Sequence, residues 1–322
     1  MTPFQAIVIG IIQGLTEFLP VSSTAHIRIV PALLNWEDPG AAFTAVIQTG
    51  TLVAALIYFR SDILVITQAV GRGLLERKPF GTFEARLGWM IVLGTIPVAI
   101  CGVLFKHMIE RDWRSLYVIC ASMAGLALVL AFAEWRVLVR SRAGAKLKTM
   151  RDLGWMDALL VGIAQAVALV PGSSRSGVTI TGGLLVGLDR PTAARFSFLL
   201  SLPAVFAAAV KELYDERAKL LHSQQDVLNL VLATVISGVI GYASIAFLLR
   251  YLKTHTTWVF ILYRVALATF LLVLLHKGVI PAESPEPDAQ EIASSLTTFA
   301  PTGVAPQDQG RPSHTAGTRP AR

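Results

Sequence analysis

Long stretches without charged residues dominate the chain. Asp, Glu, Lys and Arg are absent from three stretches of 19 residues (41–59, 87–105 and 115–133) and from one of 23 residues (227–249). Each is long enough to cross a bilayer as a helix. Two further apolar stretches cover 196–210 and 256–275, the second interrupted only by Arg264. The pattern predicts a polytopic bundle of membrane-spanning helices, an all-α fold.

Two other apolar regions are broken at their centres by proline and polar residues. Region 3–35 carries Glu17 and Pro20 followed by hydroxyl side chains, and region 153–188 carries Pro-Gly-Ser-Ser-Arg-Ser-Gly at 171–177. Irregular polar backbone at membrane depth persists only where it is buried in protein or lines a wet cavity, because lipid satisfies none of its hydrogen bonds. Both regions are therefore predicted to be broken or re-entrant helices.

The two broken regions resemble each other, which indicates a duplicated fold. Gly-Ile-Ile-Gln at 10–13 precedes Pro-Val-Ser-Ser much as Gly-Ile-Ala-Gln at 162–165 precedes Pro-Gly-Ser-Ser. Interrupted helices at corresponding places in two halves are typical of inverted repeats with a site between them. We expect one membrane domain at 1–280, with repeat halves at roughly 1–105 and 153–275. The segment 281–322 holds seven of the 16 prolines and is expected to be a disordered tail.

Composition and charge exclude a soluble protein and a nucleic-acid-binding protein. Hydrophobic residues make up 54% and charged residues 15%, against roughly 25% charged in soluble domains. The mean hydropathy is +0.60. The net charge is +7, but Lys and Arg lie in loops between apolar segments and form no basic helix face. Four cations at 72–86 and six at 136–151 place both segments in the cytoplasm by the positive-inside bias.

The first broken region carries the residues of a candidate site. Glu17 lies within an apolar segment, where an acidic side chain costs roughly 2.5–3.5 kcal/mol and needs a partner. Gln13 is one helical turn earlier, so the pair can hold a cation or orient a hydroxyl; a purely structural pair is the alternative. After Pro20, Ser22, Ser23 and Thr24 can cap a new helix whose N-terminus binds phosphate. His26 can reach either serine as a base, or be a structural histidine.

The second broken region and the last apolar stretch carry the two arginines of interest. The loop Gly172, Ser173, Ser174, Arg175, Ser176 and Gly177 has phosphate-loop glycine spacing, but Val178 stands where a nucleotide site needs lysine. Its glycines allow close approach of the backbone to an anion, and Arg175 offers a planar fork to phosphate oxygens. Arg264 is an intramembrane arginine, either functional or paired with a carboxylate.

These motifs together resemble one known family, the undecaprenyl-diphosphate phosphatases of bacterial cell-wall synthesis (the bacitracin-resistance type). The resemblance rests on 13–26, 171–177, 196–200 and Tyr263-Arg264, and covers nearly the whole chain before the tail. The family's Glu/Gln-x-x-x-Glu motif falls on Gln13 and Glu17, its serine-histidine stretch on 22–26, and its arginine loop on 173–176. This chain has Gln at the first motif position, one carboxylate fewer, and Ala25 where glycine is common.

The resemblance implies removal of the terminal phosphate from a polyprenyl diphosphate, which recycles the lipid carrier and confers bacitracin resistance. It further implies a divalent cation, Mg²⁺ or Ca²⁺, and a multi-pass enzyme of the bacterial inner membrane with its site facing the outer side. Phosphoryl transfer needs an in-line nucleophile and neutralisation of phosphate charge.

In that chemistry Ser23 would attack, His26 would handle a proton, Glu17 and Gln13 would hold the cation, and Arg175 would clamp the phosphates. The remaining phosphate-binding candidates are Ser22, Thr24, Gly172, Ser173, Ser174, Ser176 and Gly177. The nucleophile stays open among Ser22, Ser23 and His26, and a homodimer is one of the assemblies left open. The rival interpretation is a secondary transporter or lipid flippase, which also uses broken helices in inverted repeats.

Overall fold

A computed structural model describes residues 1–105, 107–108, 113, 115–216 and 224–280. The predicted tail at 281–322 and most of the loop at 106–114 lie outside these residues. Within the described part the secondary structure is helical, and the only extended pairing is an isolated bridge between Lys148 and Leu188.

Eleven helices form the described part of the chain. The first six are α1 (Pro3–Phe18), α2 (Ser23–Leu33), α3 (Gly40–Tyr58), α4 (Arg60–Leu75), α5 (Phe83–Leu104) and α6 (Leu116–Arg142). The other five are α7 (Trp155–Val167), α8 (Arg175–Leu185), α9 (Arg190–Glu216), α10 (Gln224–Tyr251) and α11 (Trp258–His276).

The charge-free stretches correspond to the long helices. Five helices of the described residues (α5, α6, α9, α10 and α11) are long and apolar enough to cross a membrane. The predicted span at 41–59 is α3, which breaks after Tyr58 and continues at 71° as α4. Helix α4 was not predicted, because its charged residues interrupt the apolar pattern. The chain is a multi-pass membrane protein.

Both predicted breaks, 19–22 and 168–174, are present, and both contain a serine with an unusual positive φ angle. Helices α1 and α2 are separated by 19–22, and α7 and α8 by 168–174. The residue before each second helix is a serine in the left-handed half of conformational space, Ser22 at φ 74° and Ser174 at φ 65°. Non-glycine residues held in sparsely populated backbone conformations cost about 1–3 kcal/mol each and are found mainly at functional sites.

Glycines let the first helix of each broken pair approach a long helix closely. A Cβ atom added at Gly10 would lie 2.6 Å from the carbonyl oxygen of Ala233, and one at Gly14 would lie 2.6 Å from that of Ser237. In the second pair, a Cβ at Gly162 would lie 2.3 Å from the carbonyl oxygen of Gly94. Helix α1 therefore packs backbone to backbone on α10, and α7 does so on α5.

A buried ion pair joins three helices away from the two breaks. Glu134 of α6 is fully buried and accepts hydrogen bonds from Arg190 Nε at 2.8 and 3.1 Å. Arg190 Nη2 makes a further bond to the same carboxylate, and Thr257 donates its hydroxyl to Oε2 at 2.8 Å. These bonds connect α6, the start of α9 and the residue before α11.

Replacing Glu134 with alanine should destabilise the folded protein by about 3 kcal/mol, because it leaves the largely buried Arg190 guanidinium without its partner. Asp62→Ala is the matched control. Asp62 pairs with Arg195, whose side chain is 50% exposed, and such a pair contributes at most about 1 kcal/mol. Unfolding of both variants in detergent micelles would measure the difference, and equal losses would contradict this role of Glu134.

Candidate active site

The two breaks meet in one polar pocket. Ser176 Oγ donates to the backbone carbonyl of Leu19 at 3.1 Å, and Arg175 Nη2 lies 3.5 Å from Glu17 Oε1. Residues of both breaks line a cavity of about 220 Å³. Helices α2 and α8 both begin at this cavity, with Ser23 and Arg175 as first residues. Since helix N-termini carry free N–H groups and partial positive charge, the cavity suits an anion.

Glu17 is the centre of the hydrogen-bond network. Its Oε2 accepts from Gln13 Nε2 at 3.1 Å and from Ser23 Oγ at 2.7 Å, and its Oε1 accepts from Gln48 Nε2 at 2.9 Å. The Arg175 guanidinium is its nearest cation, at the longer distance given above. The predicted contact between Gln13 and Glu17 over one helical turn is therefore present. The network explains how a carboxylate is held within apolar helices.

Ser23 and Ser22 have different positions although they are adjacent. Ser23 lines the cavity and directs its hydroxyl proton to Glu17, so its oxygen is oriented by a carboxylate. Ser22 is 2% exposed, and its hydroxyl makes no capping hydrogen bond to α2. Of the three capping candidates, Ser22 occupies the N-cap position of α2, but its side chain makes no capping hydrogen bond. With φ at 74°, Ser22 forms the turn before the helix. Ser23 is thus the serine with an adjacent base.

His26 does not contact either serine hydroxyl. Its Nδ1 lies 2.7 Å from the backbone carbonyl of Ser22, and its Nε2 lies 2.6 Å from the hydroxyl of Tyr263. Since a carbonyl can only accept, Nδ1 carries a proton, and in the neutral ring Nε2 accepts from Tyr263. The two rings are stacked with centroids 5.6 Å apart. His26 therefore joins the first break to α11 rather than lying beside Ser23.

Arg264 of α11 binds backbone carbonyls of the second break, the segment 168–174 between α7 and α8. It is 1% exposed, and its guanidinium donates to the carbonyls of Met123, Gly172 and Ser173 at 3.3, 3.3 and 2.9 Å. We expected a functional arginine or a carboxylate partner; among the described residues its partners are backbone carbonyls. A Cβ added at Gly177 would lie 2.6 Å from Arg264 Nη1, which explains the glycine there.

The predicted phosphate-binding residues fall into two groups, those that line the 220 Å³ cavity and those that do not. Ser22, Ser23, Thr24, Gly172, Ser173, Ser174 and Arg175 line the 220 Å³ cavity together with Gln13 and Glu17. Ser174 also caps α8 by accepting a hydrogen bond from the N–H of Gly177 at 3.2 Å. Ser176 lies against the first break, and Gly177 packs on Arg264, so neither lines this cavity.

The donor set of the cavity fits a cation that is shared with substrate. The described residues contain no group of three or more His, Cys, Asp or Glu side chains suited to a metal ion. Glu17 is the one carboxylate that lines the cavity, flanked by the amides of Gln13 and Gln48. Mg²⁺ commonly binds through one or two carboxylates plus substrate phosphates. One carboxylate and two amides are therefore too few ligands for a cage formed by the protein alone, and they suit a cation whose coordination is completed by a bound anion.

Sequence reasoning missed Gln48, which binds Glu17 from α3. Its contact spans 31 residues, so no local spacing predicts it. A signal was nevertheless present, since Gln48 is an amide within the charge-free stretch at 41–59. Tyr263 belonged to a quoted motif, but its contact with His26 was not foreseen.

Comparisons with known proteins agree on one family. The family described as bacitracin resistance protein BacA matches residues 6–270. An undecaprenyl-diphosphatase of Chlorobium phaeobacteroides is 59% identical over 282 residues, 88% of this chain and 100% of that protein. The corresponding protein of Chlorobaculum tepidum, with the same name, is 60% identical over 278 residues, 86% of this chain and 99% of that protein.

Proposed function

The chain belongs to the bacitracin resistance protein BacA family, and from this premise we propose that it hydrolyses undecaprenyl diphosphate to undecaprenyl phosphate and inorganic phosphate. The reaction returns the lipid carrier to cell-wall synthesis. The observation that carries the chemistry is the 2.7 Å hydrogen bond from Ser23 to Glu17, in a cavity framed by two helix N-termini and Arg175. The transporter interpretation is not favoured, because the relatives are named as phosphatases.

Ser23 is the nucleophile in this proposal. Glu17 takes the hydroxyl proton as Ser23 Oγ forms a bond to the terminal phosphorus, and the bond from that phosphorus to the bridging oxygen breaks. Undecaprenyl phosphate leaves with the bridging oxygen. A water oxygen then bonds to the phosphorus of the phosphoserine and the bond to Ser23 Oγ breaks. Glu17 returns its proton to Oγ, and the water's protons leave with inorganic phosphate. His26 orients the loop through the Ser22 carbonyl and does not handle the proton of Ser23.

The phosphate charges are met by Arg175 and by backbone N–H groups. Arg175 is 3.5 Å from Glu17, longer than a tight pair, so a phosphate can compete for its guanidinium. Glu17, with the amide oxygen of Gln13 after rotation of that amide, would hold a divalent cation, Mg²⁺ or Ca²⁺. Such a cation neutralises charge on the diphosphate when bound.

Release of inorganic phosphate by purified protein in detergent tests the proposed function. The substrate in this assay is a polyprenyl diphosphate. A detergent solution has no second compartment, so transport cannot account for any phosphate that is released. Phosphate release that depends on enzyme concentration is expected. A folded protein that binds the lipid but releases no phosphate would contradict the proposal.

We infer that the two broken pairs are inverted repeats that enter the membrane from opposite sides. Met1, before α1, bonds through its carbonyl to Asn229 near the start of α10, and Trp155 at the start of α7 packs on Phe80 in the segment 72–86. We place the protein in the inner membrane, with the end of the helix bundle that carries 72–86 and 136–151 in the cytoplasm. Leu169, which lines the cavity, lies beside Gly102 at the opposite end of α5. This position supports a site that faces the outer side of the membrane.

A cysteine placed at Gly144 should be labelled only after the cytoplasmic side is opened, because 136–151 carries six cations. A Cβ added at Gly144 would have no other heavy atom within 4 Å, so a side chain fits there, although the φ of 73° favours glycine. The control is a cysteine between Lys106 and Arg114, which should react in intact cells. Labelling of Gly144→Cys from outside would invert the proposed orientation.

Replacing Arg175 with lysine should lower kcat about a hundredfold with little change in KM. Lysine keeps the charge but lacks the planar fork that matches two phosphate oxygens. Steady-state kinetics in detergent measure both constants. Arg195→Lys, which alters the exposed pair with Asp62, is the control and should keep full activity. An Arg175→Lys enzyme within twofold of wild type would remove Arg175 from the phosphate clamp.

A further inference from the structure

A second, much smaller cavity shares the Glu17–Arg175 pair with the larger one. Its volume is about 20 Å³, and it is lined by residues of α1, α3, α8 and α9. Glu17 and Arg175 line both this cavity and the larger one. Phe18, Leu52 and Phe198 form part of its apolar wall. A space of this size holds one water molecule, provided that polar groups are present to bind it.

Ser197 gives the small cavity an unused polar group. Its side chain lines the cavity and is 1% exposed, and its Oγ has no hydrogen-bond partner among the described residues. A buried hydroxyl without a partner is uncommon in folded proteins and costs about 1–3 kcal/mol. This free-energy cost would be avoided if Ser197 bound a partner that is not part of the protein chain.

Four other hydroxyls that line the same cavity have a different arrangement, since each already donates to a backbone carbonyl. Ser176 donates to the carbonyl of Leu19 at 3.1 Å. Thr51, Thr179 and Ser201 each donate to a carbonyl of their own helix three or four residues earlier, at 2.7, 2.7 and 2.9 Å. Their protons are used, so towards the cavity they can only accept. Ser197 lies in α9 just as Ser201 does, yet it makes no bond to an earlier carbonyl. Its proton is therefore available within the cavity.

We propose that one buried water occupies this cavity and links Ser197 to the Glu17–Arg175 pair, which makes Ser197 a positioning residue for the proposed phosphatase reaction. Water can accept from Ser197 or Arg175 and donate to Glu17 and to the hydroxyl oxygens of Thr179 and Ser201, which meets its usual two to four bonds. A metal cation does not fit, because the Arg175 guanidinium lines the same small space.

When substrate binds, the water can replace Arg175 as a hydrogen-bond donor to Glu17. A phosphate that takes Arg175 removes one donor from Glu17 Oε1, where Gln48 remains. The water can then donate to the carboxylate in place of the guanidinium. Ser197 fixes the position of this water, and so the orientation of Glu17 while it accepts the proton of Ser23. This inference rests on the proposed function, but the water itself can be observed independently.

An experimental structure of the wild-type protein, at a resolution that shows ordered water, tests the site directly. Density for one water is expected within about 2.7–3.2 Å of Ser197 Oγ and within hydrogen-bond distance of Glu17 or Arg175. A dry cavity, or a Ser197 hydroxyl turned back to the carbonyl of Ala193, would overturn the proposal. This readout does not depend on activity.

Kinetics of two matched variants test the positioning role. Ser197→Ala should lower kcat about tenfold with KM unchanged, since the substrate-binding groups are retained. Ser244→Ala removes a buried serine hydroxyl that lines neither cavity and donates to the carbonyl of Ile240 in its own helix, and it should stay within about twofold of wild type. Equal activity of Ser197→Ala and wild type would contradict the role. A wild-type protein without phosphatase activity, but with the water in place, would instead refute the proposed function.

Discussion

Replacing Ser23 with alanine is expected to lower kcat by at least about 10⁴-fold while the protein stays folded. The substitution removes the oxygen that attacks phosphorus, and no neighbouring hydroxyl has the same relation to a carboxylate. The Ser23 side chain makes its described hydrogen bond to Glu17, at 2.7 Å, and its loss leaves Glu17 with the amides of Gln13 and Gln48. Phosphate release and thermal unfolding in the same detergent measure the two effects.

Ser22→Gly is the matched control for Ser23→Ala. Glycine adopts the positive φ of Ser22 without strain, so the variant removes a hydroxyl and keeps the turn. The carbonyl that accepts from His26 is retained. Activity within about tenfold of wild type is expected. If Ser22→Gly were as inactive as Ser23→Ala, the choice of Ser23 as nucleophile would be wrong.

Replacing Glu17 with glutamine should lower kcat about a thousandfold, within the range attributed to a general base. Glutamine has nearly the same shape and can still accept one hydrogen bond, but it cannot take the proton of Ser23. It also brings an N–H₂ group towards donors that need an acceptor. Single-turnover release of phosphate, with binding of the lipid measured separately, distinguishes the loss of chemistry from the loss of binding.

Gln13→Ala provides the comparison for Glu17→Gln. Gln13 donates one hydrogen bond of 3.1 Å to Glu17, and Ser23 and Gln48 continue to orient the carboxylate when it is removed. A loss of about tenfold is expected. A Glu17→Gln enzyme that is less impaired than Gln13→Ala would show that the carboxylate is not the base.

The membrane helices were predictable because they depend on a one-dimensional property, the absence of charge over a bilayer's thickness. Both breaks were also predictable, since Pro20 and the 171–177 run place polar backbone where lipid offers no partner. Helix α4 was not, because its mixture of charged and apolar residues follows a bend at Phe59 that depends on packing. The tail at 281–322 stays a prediction.

Within the site, local spacing predicted the Gln13–Glu17 bond, which spans a single turn of helix. Gln48 and Tyr263 were not foreseen, since their partners are 31 and 237 residues away in the chain. Arg264 was noticed as an intramembrane charge, but among the described residues it pairs with no carboxylate. Backbone carbonyls of an irregular loop satisfy it instead, and a sequence does not reveal those.

The close packing of α1 on α10 has a consequence for biosynthesis. Helix α1 has 16 residues, about 24 Å in length, and is shorter than a hydrocarbon core of about 30 Å. Its partner backbone at Ala233 and Ser237 is synthesised long after α1, and Arg264, which binds the loop between α7 and α8, is synthesised later still. These contacts cannot all form until α11 has been made, so the site is completed late in the synthesis of the chain.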